Sequence, residues 1–273
     1  MGHRTAGRHG SAVGHGRLTV TRDTVADRGP PPETAELRRG LKQFLDRMLP
    51  PVERDGAQRR LGSVIWGVYA FFDYDDEPIY VGQTRESIGT RVRRHLTNQR
   101  TDAVAMSVLD PFEVRTIKAW PLREYQSLKA SGPGRADKQI IDAAVGHLNA
   151  LERLVFERAV AESSYNAILN EKDPPPGGDA AWFEPEVGEL LSPELLKMRS
   201  HPDTRVARRS MTIARLAQVI SERELKSGGL RRALATQAKR LERLATARYE
   251  AFGGRASVDE RASDETDDDD NGA

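Results

Sequence analysis

The chain has no cysteine among its 273 residues. That excludes disulfides, a thiolate zinc site and a cysteine nucleophile, and it accords with a reducing cytosol. It also lacks a long apolar run. The longest, Ser63 to Phe72, falls far short of the roughly 20 residues a membrane-spanning helix needs. Residues 1–16 carry Arg and His with no apolar stretch behind them, which speaks against a secretory signal and leads us to expect a cytoplasmic protein. No Walker loop, His-Glu-x-x-His pair or zinc-ligand spacing occurs. Net charge is nearly absent too, at +1, but the charge is segregated. Residues 255–273 hold eight acids and two arginines, a charge of −6, so residues 1–254 carry +7. A basic body suits a polyanion, because Lys and Arg contacts to phosphate release counterions. An arginine-rich protein of ordinary function reaches the same surplus, so charge alone decides nothing.

What is present divides the chain into six parts. Residues 1–32, rich in Gly, Arg, His and Thr and closed by three prolines, read as an unstructured tail. Residues 33–60 hold a helix over Glu33 to Leu49, with Leu37, Leu41, Phe44, Leu45 and Met48 at helical spacing and Pro50-Pro51 as its stop, followed by a linker. Residues 61–172 form the main domain, 173–203 a Pro/Gly-rich linker with a short helix near Pro193 to Arg199, and 204–252 a helical pair. Residues 253–273 read as an acidic unstructured tail. In the main domain, two β-prone runs, Ser63 to Phe72 and Ile79 to Gly82, flank the acidic turn Asp73-Tyr74-Asp75-Asp76-Glu77-Pro78 and predict a hairpin. Phe112 to Trp120 alternates as a third strand, with Phe112, Val114 and Ile117 inward. Ser131-Gly132-Pro133-Gly134 is a flexible insertion, and Asp137 to Ala161 is a long helix with apolar residues at three and four. The expected fold is α+β: a three-stranded antiparallel sheet flanked by helices, plus a C-terminal helical region.

The hairpin carries two triplets, Gly67-Val68-Tyr69 and Tyr80-Val81-Gly82, and the helix that follows holds Arg91 and His95 four residues apart, on one face. With Glu152 in Leu151-Glu152-Arg153-Leu154 and Asn166 after Tyr165, this pattern resembles the GIY-YIG nucleases over about residues 60–172. The resemblance implies a DNA endonuclease that hydrolyses phosphodiester bonds with one divalent metal ion, Mg²⁺ with Mn²⁺ as a substitute. His95 matches a histidine of the restriction-enzyme branch and tilts the expectation toward restriction or DNA defence.

Such hydrolysis needs a base for water, a cation for developing charge, an orienting contact and a proton for the leaving oxygen. The resemblance makes Tyr69 the base, aided by Arg91 and His95 as cations, and Tyr80 the group that positions water; the two roles are interchangeable at this point. Arg91 clamps the scissile phosphate, and His95 shares a proton with the base or donates to the phosphate. Glu152 is the metal ligand, with Glu157 as the competing assignment. Gly67 and Gly82 leave room for the phosphate backbone. Asn166 tethers the end of the long helix or caps it.

Residues 205–252 hold twelve Lys or Arg against four Glu and suggest an antiparallel helical pair with a basic outer face that meets phosphates. Their leucines, Leu230, Leu234, Leu241 and Leu244, offer a homodimer seam. Two alternatives belong to other classes: an inactive DNA-binding module of the same fold, and an interaction protein built on that leucine seam.

Overall fold

A computed structural model of the chain describes residues 31–51, 56–97, 108–128, 136–222 and 228–254. The tails expected at 1–32 and 253–273 lie outside these residues, apart from 31–32 and 253–254, as does the 131–134 insertion. Among the described residues, no helix is long and apolar enough to cross a membrane.

The chain is α+β. Helix α1 (Pro32–Leu45) starts on prolines that need no donor partner. It ends four residues earlier than its periodicity suggests, because Met48–Leu49 (β1) pairs with Arg59–Arg60 (β2) in a two-stranded ribbon. The main sheet then builds from β3 (Gly67–Phe72), β4 (Pro78–Thr84), β5 (Thr116–Pro121) and β6 (Glu186–Glu189), all antiparallel in the order β4-β3-β5-β6. Helix α2 (Ile88–Leu96) follows the hairpin, and Ser87 caps it by accepting from the Thr90 N–H at 3.0 Å. Helix α3 (Lys138–Glu162) starts on Asp137, which accepts from the Gln139 N–H. A short helix α4 (Pro193–Arg199) leads into the antiparallel partners α5 (Pro202–Glu222) and α6 (Gly228–Ala251).

Two expectations change here. The sheet has four strands, because β6 rises from the stretch expected to be an irregular linker. Gly188 makes the pairing possible, since a Cβ there would run into the Phe44 ring of α1 at 2.3 Å. The third strand begins at Thr116 and not at Phe112, because Pro111–Glu113 forms a 3₁₀ turn.

The central strand β3 is buried along its whole length because it has a neighbour on each side and a core on each face. Val68, Ala70 and Phe72 pack with Leu148, Leu151 and Val155 of α3. Tyr69 and Phe71 face the opposite core, shared with Leu37 of α1, Val92 of α2, Leu216 and Ile220 of α5, and Leu230 and Ala233 of α6. The C-terminal helices are therefore built into the same core as the hairpin. Leu230 is buried in that core and Leu234 packs against it, so half of the leucine stripe faces inward.

Three arginines of α5 and α6, Arg205, Arg209 and Arg240, turn inward as well, while Arg215, Arg231, Arg232, Lys239 and Arg243 stay exposed on the outer face. Asp73, at the end of β3, is 1% exposed. Its Oδ1 accepts from the Asp75 and Glu77 N–H groups at 2.8 and 3.2 Å, which shapes the hairpin turn. Its Oδ2 accepts from Arg205, Arg209 and Arg240 at 3.2, 2.8 and 2.7 Å. Arg205 also bonds Asp75 at 2.9 and 2.7 Å, and Arg209 bonds Glu113 at 3.0 Å. Three guanidinium groups thus meet three carboxylates, so the cluster is charge-balanced, as buried ions must be. Asp203 takes up Arg248 of α6 at 2.7 and 2.8 Å.

Candidate active site

Tyr69 on β3 lies opposite Gly82 on β4, and Phe71 lies opposite Tyr80. Side chains of paired residues share a sheet face, so a glycine opposite Tyr69 frees space for its ring to lean across β4. The Tyr69 and Tyr80 centroids are 6.2 Å apart. A Cβ at Gly82 would sit 2.7 Å from the Tyr69 Oη and 2.9 Å from Tyr80 Cε1. Gly67 is equally closed, with the Trp120 carbonyl oxygen 2.9 Å from where a Cβ would be. Neither glycine opens onto a ligand. The space expected for a phosphate holds the two rings at Gly82 and the neighbouring strand at Gly67.

Helix α2 lays its Arg91–His95 face over the rings. His95 Nε2 is 2.9 Å from the Tyr69 Oη, and its ring centroid is 5.0 Å from that of Tyr80. Burial, reinforced by the charges of Arg91 and Arg94, pulls the His95 pKa down to about 4. The imidazole is therefore neutral near pH 7, and it cannot be the second cation that the sequence suggested. Burial also holds the Tyr69 phenol well above its ordinary value, with Arg91 opposing. Tyr80 shifts the same way for the same reason. Tyr69 is wholly inaccessible, whereas Tyr80 is half-buried and lines a cleft.

That cleft, of about 400 Å³, runs along the outer edge of β4 and brings together Tyr80, Arg91, Glu152 and Asn170. Arg91 is buried at its Nε, which has no partner among the described residues. Glu152 sits one turn beyond Leu148, at the margin of the stripe by which α3 packs on the sheet, and is 8% exposed. Its Oε2 accepts from Gln83 Nε2 at 2.9 Å. Burial raises the Glu152 pKa, while Gln83 and Arg91 pull against the rise. Glu157, the competing assignment, points to solvent and pairs with Arg153. Among the described residues, no group of three His, Asp or Glu side chains is placed to hold a metal ion. Glu171 and Asp173 also line the cleft, Asp173 pairing with Arg232 at 2.6 Å, so Glu152 offers a lone buried carboxylate of the kind that suits a hard cation keeping most of its waters, such as Mg²⁺.

Asn166 stays away from this arrangement. It is exposed, with φ +50°, and its N–H bonds the Ser163 carbonyl just past the end of α3. Asn170 occupies the site instead. Its Oδ1 accepts from the Val81 N–H at 3.0 Å and its Nδ2 donates to the Val81 carbonyl at 2.7 Å. One carboxamide thus pairs with the middle residue of the second triplet as a neighbouring strand would. The Leu169 N–H adds a bond to the Ile79 carbonyl, closing the edge of β4. Gln83 is the other residue that the sequence pattern passed over. A polar side chain two positions beyond Val81 was its only signal, and its partner lies 69 residues away.

A comparison with protein families matches residues 65–129 to the GIY-YIG catalytic domain. Curated proteins and solved structures yield no match. The matched segment contains the hairpin, both triplets, Arg91 and His95, while Glu152 and Asn170 reach the same cleft from beyond it. The order of these elements and their antiparallel register agree with this match, which identifies residues 65–129 as a GIY-YIG catalytic domain.

Proposed function

We propose that the protein is a metal-dependent endonuclease that hydrolyses DNA phosphodiester bonds and serves in restriction or DNA defence. One observation carries this reading: Arg91, Tyr80 and Glu152 line a single cleft. Arg91 brings a guanidinium with an unpartnered buried nitrogen, suited to a phosphate oxygen. Glu152 would hold the metal ion. When bound, that ion polarises the phosphoryl oxygen and offsets its developing charge.

Proton transfer is assigned from access. Water entering the cleft would meet Tyr80, so Tyr80 takes its proton while handing its own to Tyr69, and Tyr69 hands its own to His95 Nε2, where the proton comes to rest. The two rings lie side by side, with centroids 6.2 Å apart. With His95 protonated at Nδ1, the tautomer this relay requires, the Tyr69 O–H donates to its Nε2, a neutral acceptor at physiological pH. The sequence reading put Tyr69 at the water as base, with the reverse as its alternative; burial of Tyr69 favours that reverse, with Tyr80 at the water.

Supercoiled plasmid incubated in Mg²⁺, Mn²⁺ or EDTA tests the reading. Wild type is expected to cut in either metal and not in EDTA. Glu152→Ala and Arg91→Ala are each expected to lose on the order of 100-fold or more in rate. Nicking that survives EDTA or either substitution would overturn the assignment. Full DNA binding without cutting in Mg²⁺ would favour an inactive module.

The free protein makes a further expectation available. An ordinary histidine titrates near 6.5, whereas His95 titrates at about 4. Its ring signals, identified by comparison with His95→Gln, should stay constant from pH 8 to 5.5 in an NMR titration. The unfolded chain takes up this proton first, so His95 contributes a loss of stability as pH falls from about 6.5 to 4. A midpoint near 6.5 would contradict the buried neutral acceptor.

A further inference from the structure

A second cleft, of about 560 Å³, shares Arg91 with the first and is lined by Gln83, Thr84, Arg85, Glu86 and Asn149. Six of its seven lining residues are polar or charged, Val145 being the exception. A chain of hydrogen bonds connects it to the proposed metal ligand. Gln83 Nε2 donates to Glu152 Oε2 and to Asn149 Oδ1, each at 2.9 Å. An ionised carboxylate only accepts, so it sets the polarity of both amides. Gln83 must turn its nitrogen toward Glu152. Its Oε1 remains as an acceptor and the Asn149 Nδ2 as a donor, and neither has another hydrogen bond among the described residues. Arg85 is exposed at the same cleft. Glu86 accepts from Arg94 at 3.1 and 2.8 Å and lies 4.0 Å from Arg91, so one carboxylate stands where two guanidinium groups converge.

From this arrangement we infer that the second cleft is the seat of the nucleotide next to the scissile phosphate. Arg85 contacts that nucleotide's phosphate. The Gln83 carbonyl and Asn149 amide meet a donor and an acceptor on its base or sugar, as carboxamides do at base edges. Glu86 holds Arg94 and Arg91 in place before DNA arrives and opposes the incoming phosphate charge. The inference rests on the endonuclease reading for the identity of the first cleft, and its test is separable from that reading.

The test is fluorescence anisotropy of a short labelled DNA duplex in Ca²⁺, with a cleavage arm in Mg²⁺ on a substrate randomised around the cut. Arg85→Ala is expected to bind about fivefold more weakly and to lose about one unit of salt slope. Asn149→Ala is expected to bind about threefold more weakly and to redistribute the cut positions. Glu86→Gln moves the other way, binding about threefold more tightly, which a folding defect cannot mimic. If wild type cuts but all three variants bind and cut as wild type does, the second cleft is not a nucleotide site and the endonuclease reading stands. If wild type binds without cutting while the variants shift affinity as stated, the cleft assignment stands and the catalytic reading falls. A wild type that does not bind DNA overturns both.

Discussion

Gly82→Ala should cut DNA at least about 100-fold more slowly than wild type while remaining folded. The added methyl would sit 2.7 Å from the Tyr69 Oη, 2.9 Å from its Cζ and 2.9 Å from Tyr80 Cε1. Real side chains do not pack that closely, so one or both rings must move. They have little freedom to do so. Tyr69 is fully buried, with Phe71 and His95 centroids at 5.5 and 5.8 Å. The displacement therefore falls on the Tyr69–His95 contact or on Tyr80 at the cleft. A shift of about 1 Å in a reacting group costs about 100-fold in rate. The expected stability loss is about 1–3 kcal/mol, the usual range for overpacking. Gly82 does not have a positive φ, so alanine suits its backbone and the effect is one of space. Gly146 on α3 is the control, since no atom lies within 4 Å of a Cβ there. Gly146→Ala should keep full activity and gain up to about 1 kcal/mol from helix propensity. Single-turnover cleavage and thermal melting of both variants decide the matter. A Gly82→Ala enzyme with wild-type rate would show that the rings do not take part as described.

Asp73→Ala should destabilise the fold by about 3–5 kcal/mol, the range for removing one partner of a buried ion cluster. The carboxylate accepts from three arginines and two backbone N–H groups, so its loss strands charges and turn donors together. Against a domain stability of about 5–15 kcal/mol, that is a large fraction. Replacing Arg205, Arg209 and Arg240 by methionine together with Asp73→Leu removes four of the six charges, leaving Asp75 at the surface and Glu113 to protonate. That combination is expected to cost less than Asp73→Ala alone, because no guanidinium is left buried and unpaired. Urea unfolding followed by circular dichroism measures both. A loss below about 1 kcal/mol for Asp73→Ala would mean that the arginines find other partners or water. The hairpin turn leads directly into Tyr80, so this cluster also governs where the cleft's phenol stands.

Local regularities made much of this legible from the amino acids. The hairpin follows from two β-prone runs around an acidic turn. The shared face of Arg91 and His95 follows from their spacing, and α3 matches its apolar repeat within a residue at either end. Glu152 emerged from the resemblance and lies at the cleft, whereas Glu157 does not. The amide that binds Val81 did not emerge: the resemblance pointed to Asn166, and only the return of the chain to the edge of β4 brings Asn170 there instead. The fourth strand was hidden because Glu186–Glu189 is only four residues long and leaves its one large apolar side chain, Val187, exposed, and it becomes a strand by pairing with β5.

The sequence by itself determined the elements whose causes lie within a few residues: periodic apolar faces, turn chemistry, caps and the order of the two triplets. Only the tertiary structure decided which groups are charged and which are within reach. Burial makes His95 neutral and closes Tyr69 off from water, and packing of the C-terminal helices turns Arg205, Arg209 and Arg240 toward Asp73. Proton affinity and accessibility depend on what surrounds a side chain in space, and those surroundings come from residues distant in the chain.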